Sequence, residues 1–230
     1  MCGRYAASAS VEEIVEEFDI DFIDDGVPAV CGPRYNIAPT DQIPAIVERA
    51  SDGEVTRKLV PVRWGLVPSW AKAPTATMIN ARVETVTSKP SFRKAASARR
   101  CLLPALGYYE WREEQPAGGG RPVKQPWFFA PAVGPLVMAG LYEFWKGPDG
   151  WLASATVITT EATDAVGWVH DRMPMTVPAG SWDDWLDPGL TDAAAAVTLL
   201  TPPVDLSHRK VSRAVNRVGT DGPELIAEVA

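Results

Sequence analysis

The chain has 230 residues, with 22 basic and 29 acidic side chains for a formal net charge of −7; 46% of its residues are hydrophobic and 22% charged. That length can bury a substantial core in one large domain, and the balance excludes a wholly disordered or fibrous chain. No apolar run approaches the ~18 residues of a membrane helix, and the opening MCGRYAAS has no signal-peptide core, so neither membrane insertion nor secretion is expected.

In chain order, Ser10-Val11-Glu12-Glu13 is a capping box, and Val11, Ile14, Val15 and Phe18 repeat at helical spacing behind it. Residues 43–49 and 54–60 read as two strands around Asp52-Gly53, a hairpin turn. Strand-like runs follow near 62–67, 101–104, 107–111, 126–130, 136–142 and 151–160. Helices are predicted at 91–97, at 181–186 with Ser181 as its cap, and from Thr191 to Leu200. The stretch EEQPAGGGRPVK (113–124) reads as a flexible hairpin tip. The 21 prolines, about 9% against a usual ~5%, break the chain into short strands and structured loops. No repeat and no linker is visible. The expectation is a single α+β domain over 1–230, with a curved, mostly antiparallel sheet and flanking helices.

The charge is unevenly spread. Residues 12–25 hold eight acids and no base, while residues 57–112 hold eleven bases against two acids, Glu84 and Glu110, a net of +9. A local field of that sign attracts an anionic ligand whatever the net charge; a basic solvated face is the alternative reading. Cys2, Cys31 and Cys101 are few, odd in number and far apart, and only His170 and His208 could add imidazole ligands. Neither a disulfide framework nor a metal site is expected, and a reducing compartment fits.

Cys2 is the most suggestive residue. Removal of Met1 would leave it with an α-amine and a thiol whose ordinary pKa values, near 7.7–8.0 and 8.5, leave each partly nucleophilic at neutral pH. Such an aminothiol attacks an aldehyde twice, first as a Schiff base and then as a thiazolidine. Alone, Cys2 is more often just an ordinary residue near the start of the mature chain. In Gly107-Tyr108-Tyr109-Glu110-Trp111, strand alternation puts Tyr108 and Glu110 on one face and Tyr109 and Trp111 on the other. A carboxylate among so many rings is partly desolvated, which raises its pKa toward the range of a neutral-pH proton carrier; an ion-paired strand glutamate is the alternative. His170 lies in a charged loop before Pro174 and suits proton transfer, or is a surface histidine. In Asn80-Ala81-Arg82-Val83-Glu84 an extended backbone would place Asn80, Arg82 and Glu84 on one face, offering a hydrogen-bonding amide and a phosphate-holding guanidinium. Trp70, after a Pro-Ser turn, is the favoured tryptophan for stacking on single-stranded nucleic acid.

Taken together, the blocks MCGR (1–4), RYNIAPT (34–40), WGLVPSW (64–70), INARVET (79–85), KPSFR (89–93), RCLLPALGYYEW (100–111), AGLYE (139–143), HDRMP (170–174) and VSRAVN (211–216) resemble the SRAP family, the SOS-response-associated peptidase or abasic-site processing proteins. They span nearly the whole chain; the 113–124 loop and the acidic stretch 19–30 match poorly. The resemblance implies a single α+β domain with a barrel-like sheet. It implies covalent capture of abasic sites in single-stranded DNA as a thiazolidine crosslink, in the DNA-damage and SOS response. By position in the blocks, Cys2 is the nucleophile, Asn80 orients the N-terminus and lesion, Glu110 relays protons, and His170 assists proton transfer and is linked to reversal. Arg4, Arg82 and Trp70 hold backbone and bases, and Thr159 lies near the pocket. The expected partner is single-stranded DNA containing abasic sites, met by a cytoplasmic, nucleoid-associated monomer without cofactor or metal. Two other readings stay open: an N-terminal-nucleophile cysteine peptidase acting on Met1 or other peptides, and a non-catalytic single-strand binding protein.

Overall fold

The longest alternating apolar stretches become the longest strands. In the computed structural model, which describes residues 2–74, 78–116 and 118–229, the strands are β1 (Tyr5–Ala7), β2 (Phe22–Ile23), β3 (Arg34–Ile37), β4 (Gln42–Ser51), β5 (Glu54–Trp64), β6 (Asn80–Arg82), β7 (Arg100–Ala105), β8 (Gly107–Glu114), β9 (Val123–Pro131), β10 (Leu136–Gly147), β11 (Gly150–Glu161), β12 (Arg172–Pro174) and β13 (Leu206–Lys210). The α-helices are α1 (Val11–Phe18), α2 (Arg93–Ala98), α3 (Asp164–Gly167), α4 (Trp182–Leu186) and α5 (Ala193–Val197). The architecture is α+β, as expected.

Five strands close into a barrel. The order β5-β4-β7-β10-β11 is antiparallel throughout, and β11 returns onto β5 in parallel, pairing Ser154 with Arg63 and Ala155 with Trp64. Strand alternation then sorts the side chains. Ile43, Ala45, Val62, Trp64, Cys101, Leu103, Met138, Ala155 and Val157 fill the interior. Ile46, Leu59, Leu102, Ala139, Leu141 and Ile158 face outward, where α1, α2, α4 and α5 cover them. A second sheet, β13-β9-β8-β1-β3, lies across the barrel. One face sends Tyr5, Tyr108 and Phe129 into the barrel cluster. Its other face, Ala6, Tyr109, Phe128 and Ala130, packs under Val211, Val215 and Leu225 of the C-terminal segment. Tyr108 and Tyr109 thus point to opposite sides, as the alternation predicts.

Local signals decide several ends. Ser10 Oγ accepts from Glu13 N–H at 3.2 Å and Glu13 Oε2 accepts from Ser10 N–H at 2.7 Å, completing the capping box of α1. Asp52 (φ 55°) and Gly53 (φ 85°) make the left-handed turn between β4 and β5. Gly107 has another reason: a Cβ there would lie 2.4 Å from the Phe129 carbonyl oxygen and 2.5 Å from the Phe128 ring.

Other expectations are corrected. The run 62–67 is no separate strand; β5 continues to Trp64 and only an isolated bridge follows at Leu66. Ser181 does not cap α4 with its side chain, because a 3-10 turn at Ala179–Ser181 already leads into the helix. The helix from Thr191 shortens to α5, capped by Asp192, whose Oδ1 accepts from Ala194 N–H at 2.9 Å and Ala195 N–H at 3.2 Å. The extended run through Glu84 stops at Arg82, where Thr85 N–H turns back to the Arg82 carbonyl.

Candidate active site

Four distant segments meet where the second sheet crosses the barrel. Cys2 leads into β1, which is held between β3 and β8 with Tyr5 opposite both Ile37 and Tyr108. Tyr109 N–H donates to the Arg4 carbonyl at 2.9 Å, extending this pairing toward Cys2. Asn80, at the start of β6, donates from Nδ2 to the Cys2 carbonyl at 2.9 Å. β6 is in turn fixed by its parallel pairing with β11, Asn80 opposite Val157. Glu110 comes from β8, and His170 from the turn between α3 and β12. A cavity of about 560 Å³ opens here, lined by Arg4, Glu110, Trp111, Lys124, His170 and Asn216.

Electrostatics set the state of each group. Cys2 is fully buried. Burial, and then the neighbouring Glu110 charge, push its thiol far above the ordinary range, so the resting thiol is protonated. Glu110 is 2% exposed, and burial raises its carboxyl pKa to about 7. Both its protonation states are therefore populated near neutrality. Burial lowers the pKa of His170, which keeps the ring neutral at pH 7. Its Nδ1 accepts from Arg172 N–H at 3.0 Å, so the neutral ring carries its proton on Nε2. Asp171 Oδ1, 2.9 Å from the same Nδ1, becomes a counter-ion only when the ring is charged.

Arg172 was not singled out in the sequence, yet it braces this corner. Its guanidinium donates to both carboxylate oxygens of Glu84, at 2.8 and 3.0 Å, and to the Thr159 carbonyl at 2.7 Å. Asn36 is similarly supportive: its Oδ1 accepts from Arg4 Nη1 at 2.6 Å while its Nδ2 donates to the Arg217 and Thr220 carbonyls. Trp111, Lys124 and Asn216 line the cavity and were also missed; Trp111 Nε1 donates to Asn216 Oδ1 at 2.6 Å. Asn36 and Arg172 lie in strands of four and three residues, too short for alternation to have singled them out.

The other expected contacts separate. Cys2, Asn80, Glu110, His170 and Arg4 come together. Arg82 is exposed, two residues along β6 from Asn80. Trp70 is 65% exposed on a turn closed by Ala71 N–H to the Pro68 carbonyl, outside the cavity lining. Thr159 is 1% exposed, and its carbonyl accepts from the Arg172 guanidinium at 2.7 Å. The basic segment is also less free than its charge suggests. Arg57 pairs with Glu48 and Asp183, Arg99 pairs with Glu143, and Arg100 is buried with three backbone carbonyls as partners.

The comparisons with known proteins agree with one another. The abasic site processing protein YoqW of Bacillus subtilis is 37% identical over 233 residues, covering 98% of this chain and 99% of that protein. The abasic site processing protein HMCES of Xenopus tropicalis is 29% identical, over 86% of this chain and 66% of its own. Among solved structures, a protein of Bacteroides thetaiotaomicron superposes with a TM-score of 0.83 over all of both chains at 23% identity, a likeness of fold. A phage-related protein of Bordetella bronchiseptica matches with a TM-score of 0.70 at 29% identity, over 92% of this chain and 95% of its own. The family model for SOS response associated peptidase (SRAP) matches residues 1–218, and the chain belongs to that family.

Proposed function

We propose that this chain processes abasic sites in single-stranded DNA by covalent capture through Cys2 once Met1 is removed. The observation that carries the reading is that Cys2, tied to Asn80, lies beside Glu110, which lines one cavity with His170 and has a carboxyl pKa raised to about 7. An abasic sugar is mostly a closed hemiacetal, so its aldehyde must be released by proton transfer, which a carboxyl of this pKa suits. The α-amine of Cys2 then adds to the aldehyde carbon, the carbinolamine loses water, and the thiol adds across the resulting C=N bond. The balance is one aldehyde and one aminothiol giving one thiazolidine and one water. Asn80 holds the Cys2 carbonyl and so fixes where amine and thiol lie. His170 Nε2–H is the second proton carrier, and Arg4 and Arg82 are the candidate phosphate contacts.

The test is an adduct assay by mass and heat-stable gel shift on single-stranded DNA bearing one abasic site. The mature protein is expected to gain the mass of the DNA less one water. Cys2→Ala should form no adduct yet still bind DNA reversibly, and Cys2→Ser should give only a borohydride-trappable Schiff base. An undiminished adduct from Cys2→Ala, or from protein with a blocked N-terminus, overturns the reading. The peptidase named in the family's description predicts instead turnover of peptides by the same cysteine.

A further inference from the structure

Tyr108 is fully buried between its cross-strand neighbours Tyr5 and Phe129, its ring stacked on Phe129 with centroids 5.4 Å apart. A phenylalanine would fill this place equally well. Its hydroxyl, however, has no hydrogen-bond partner among the described residues. A buried hydroxyl left unpaired destabilises the fold, so packing does not explain why the oxygen is there. Its surroundings do. Tyr108 shares the barrel cluster with Cys2 and projects from the same face of β8 as Glu110, two residues on. Burial first, and then charge on either neighbour, pushes the Tyr108 pKa up, so the hydroxyl keeps its proton and is available as a donor. The other close amide donor, Asn80 Nδ2, is committed to the Cys2 carbonyl.

We propose that the Tyr108 hydroxyl is a hydrogen-bond donor to the substrate, binding the aldehyde oxygen of the ring-opened sugar as the Cys2 amine attacks. This rests on the covalent-capture reading above. When the C–N bond forms, the C=O π pair moves onto that oxygen. A fixed neutral donor stabilises the developing charge without losing its proton, and the proton that completes the carbinolamine comes from the acid–base pair. An unpaired donor is then the resting form of a site that is satisfied only with substrate bound.

Tyr108→Phe removes one oxygen and leaves the ring. Single-turnover adduct formation by the mature protein on abasic single-stranded DNA should slow by about 10²- to 10³-fold, the usual scale for one such donor. Its pH midpoint and the reversible affinity for intact single-stranded DNA should be unchanged. The melting temperature should stay level or rise, since an unpaired buried group is gone. Equal rates for parent and variant overturn the proposal. So does a slower variant whose melting temperature falls or whose pH midpoint moves, because the hydroxyl then acts through the fold or through Glu110. Failure of the parent itself to form an adduct retires the covalent-capture reading instead.

Discussion

On the covalent-capture reading, Glu110 holds two roles in conflict. Its burial tunes it for proton transfer and also makes it a liability to the fold. With a folded pKa of about 7 against an ordinary carboxyl value of 4.5, the native state binds the proton more tightly than the unfolded chain. Its contribution is therefore most favourable below pH 4.5 and is lost as pH rises through 7. The full span is about 3 kcal/mol. Glu110→Gln keeps the shape but cannot titrate. It should raise the melting temperature at pH 8 by several degrees, with the gain fading toward pH 5, while slowing adduct formation about 10²-fold. Melting curves at the two pH values, beside adduct time courses, check both halves; a variant no more stable at pH 8 would show that the carboxylate is well solvated.

At the scale of elements, β8 is the part on which the site depends, and Gly107 is its seat. The close approach of the Phe129 carbonyl and the Phe128 ring leaves no room for a methyl group. Gly107→Ala must push β8 off β9, displacing Tyr108 and Glu110 together. A cost at or above the upper end of the 1–3 kcal/mol typical of overpacking is expected, seen as a fall in melting temperature of roughly 5–10 °C along with slower capture. A variant melting with the parent would mean that the two strands separate at no cost. Such elements differ in how well they announce themselves. The capping box and the Asp52-Gly53 turn are local chemistry and were legible. β1, β3, β6 and β12 have only three or four residues each, too few for a period of two to stand out from chance.

For the molecule as a whole, closure is the feature that local reading misses. The parallel return of β11 onto β5 joins Arg63 to Ser154, and nothing near either residue signals the other. The Asn80–Cys2 hydrogen bond likewise spans 78 positions. The resemblance supplied what periodicity could not, naming Cys2, Asn80, Glu110 and His170 from four distant segments as one set. Charge needs the same global view. Arg57, Arg99 and Arg100 are spent on internal partners, so they should release no counterions on binding. Reversible affinity for single-stranded DNA should fall with salt. Arg82→Gln should lower the magnitude of the log–log slope by about 0.7, whereas Arg57→Gln should leave it unchanged. A titration series from low to physiological salt decides; equal slopes for Arg82→Gln and parent would remove Arg82 from the DNA-facing set.

The central position of β1 has a consequence for biosynthesis. Residues 2–7 leave the ribosome well before one of their two strand partners, β8, about a hundred residues later. At ordinary elongation rates of about 5–20 residues per second, the start of the chain waits roughly 5–20 s before it can be enclosed. During that interval the bond preceding Cys2 is open to an aminopeptidase. Afterwards Cys2 is buried, with its carbonyl tied to Asn80. On the covalent-capture reading, trimming and folding compete on one nascent chain, and overexpression that outruns the aminopeptidase should leave a folded, untrimmed fraction that forms no adduct.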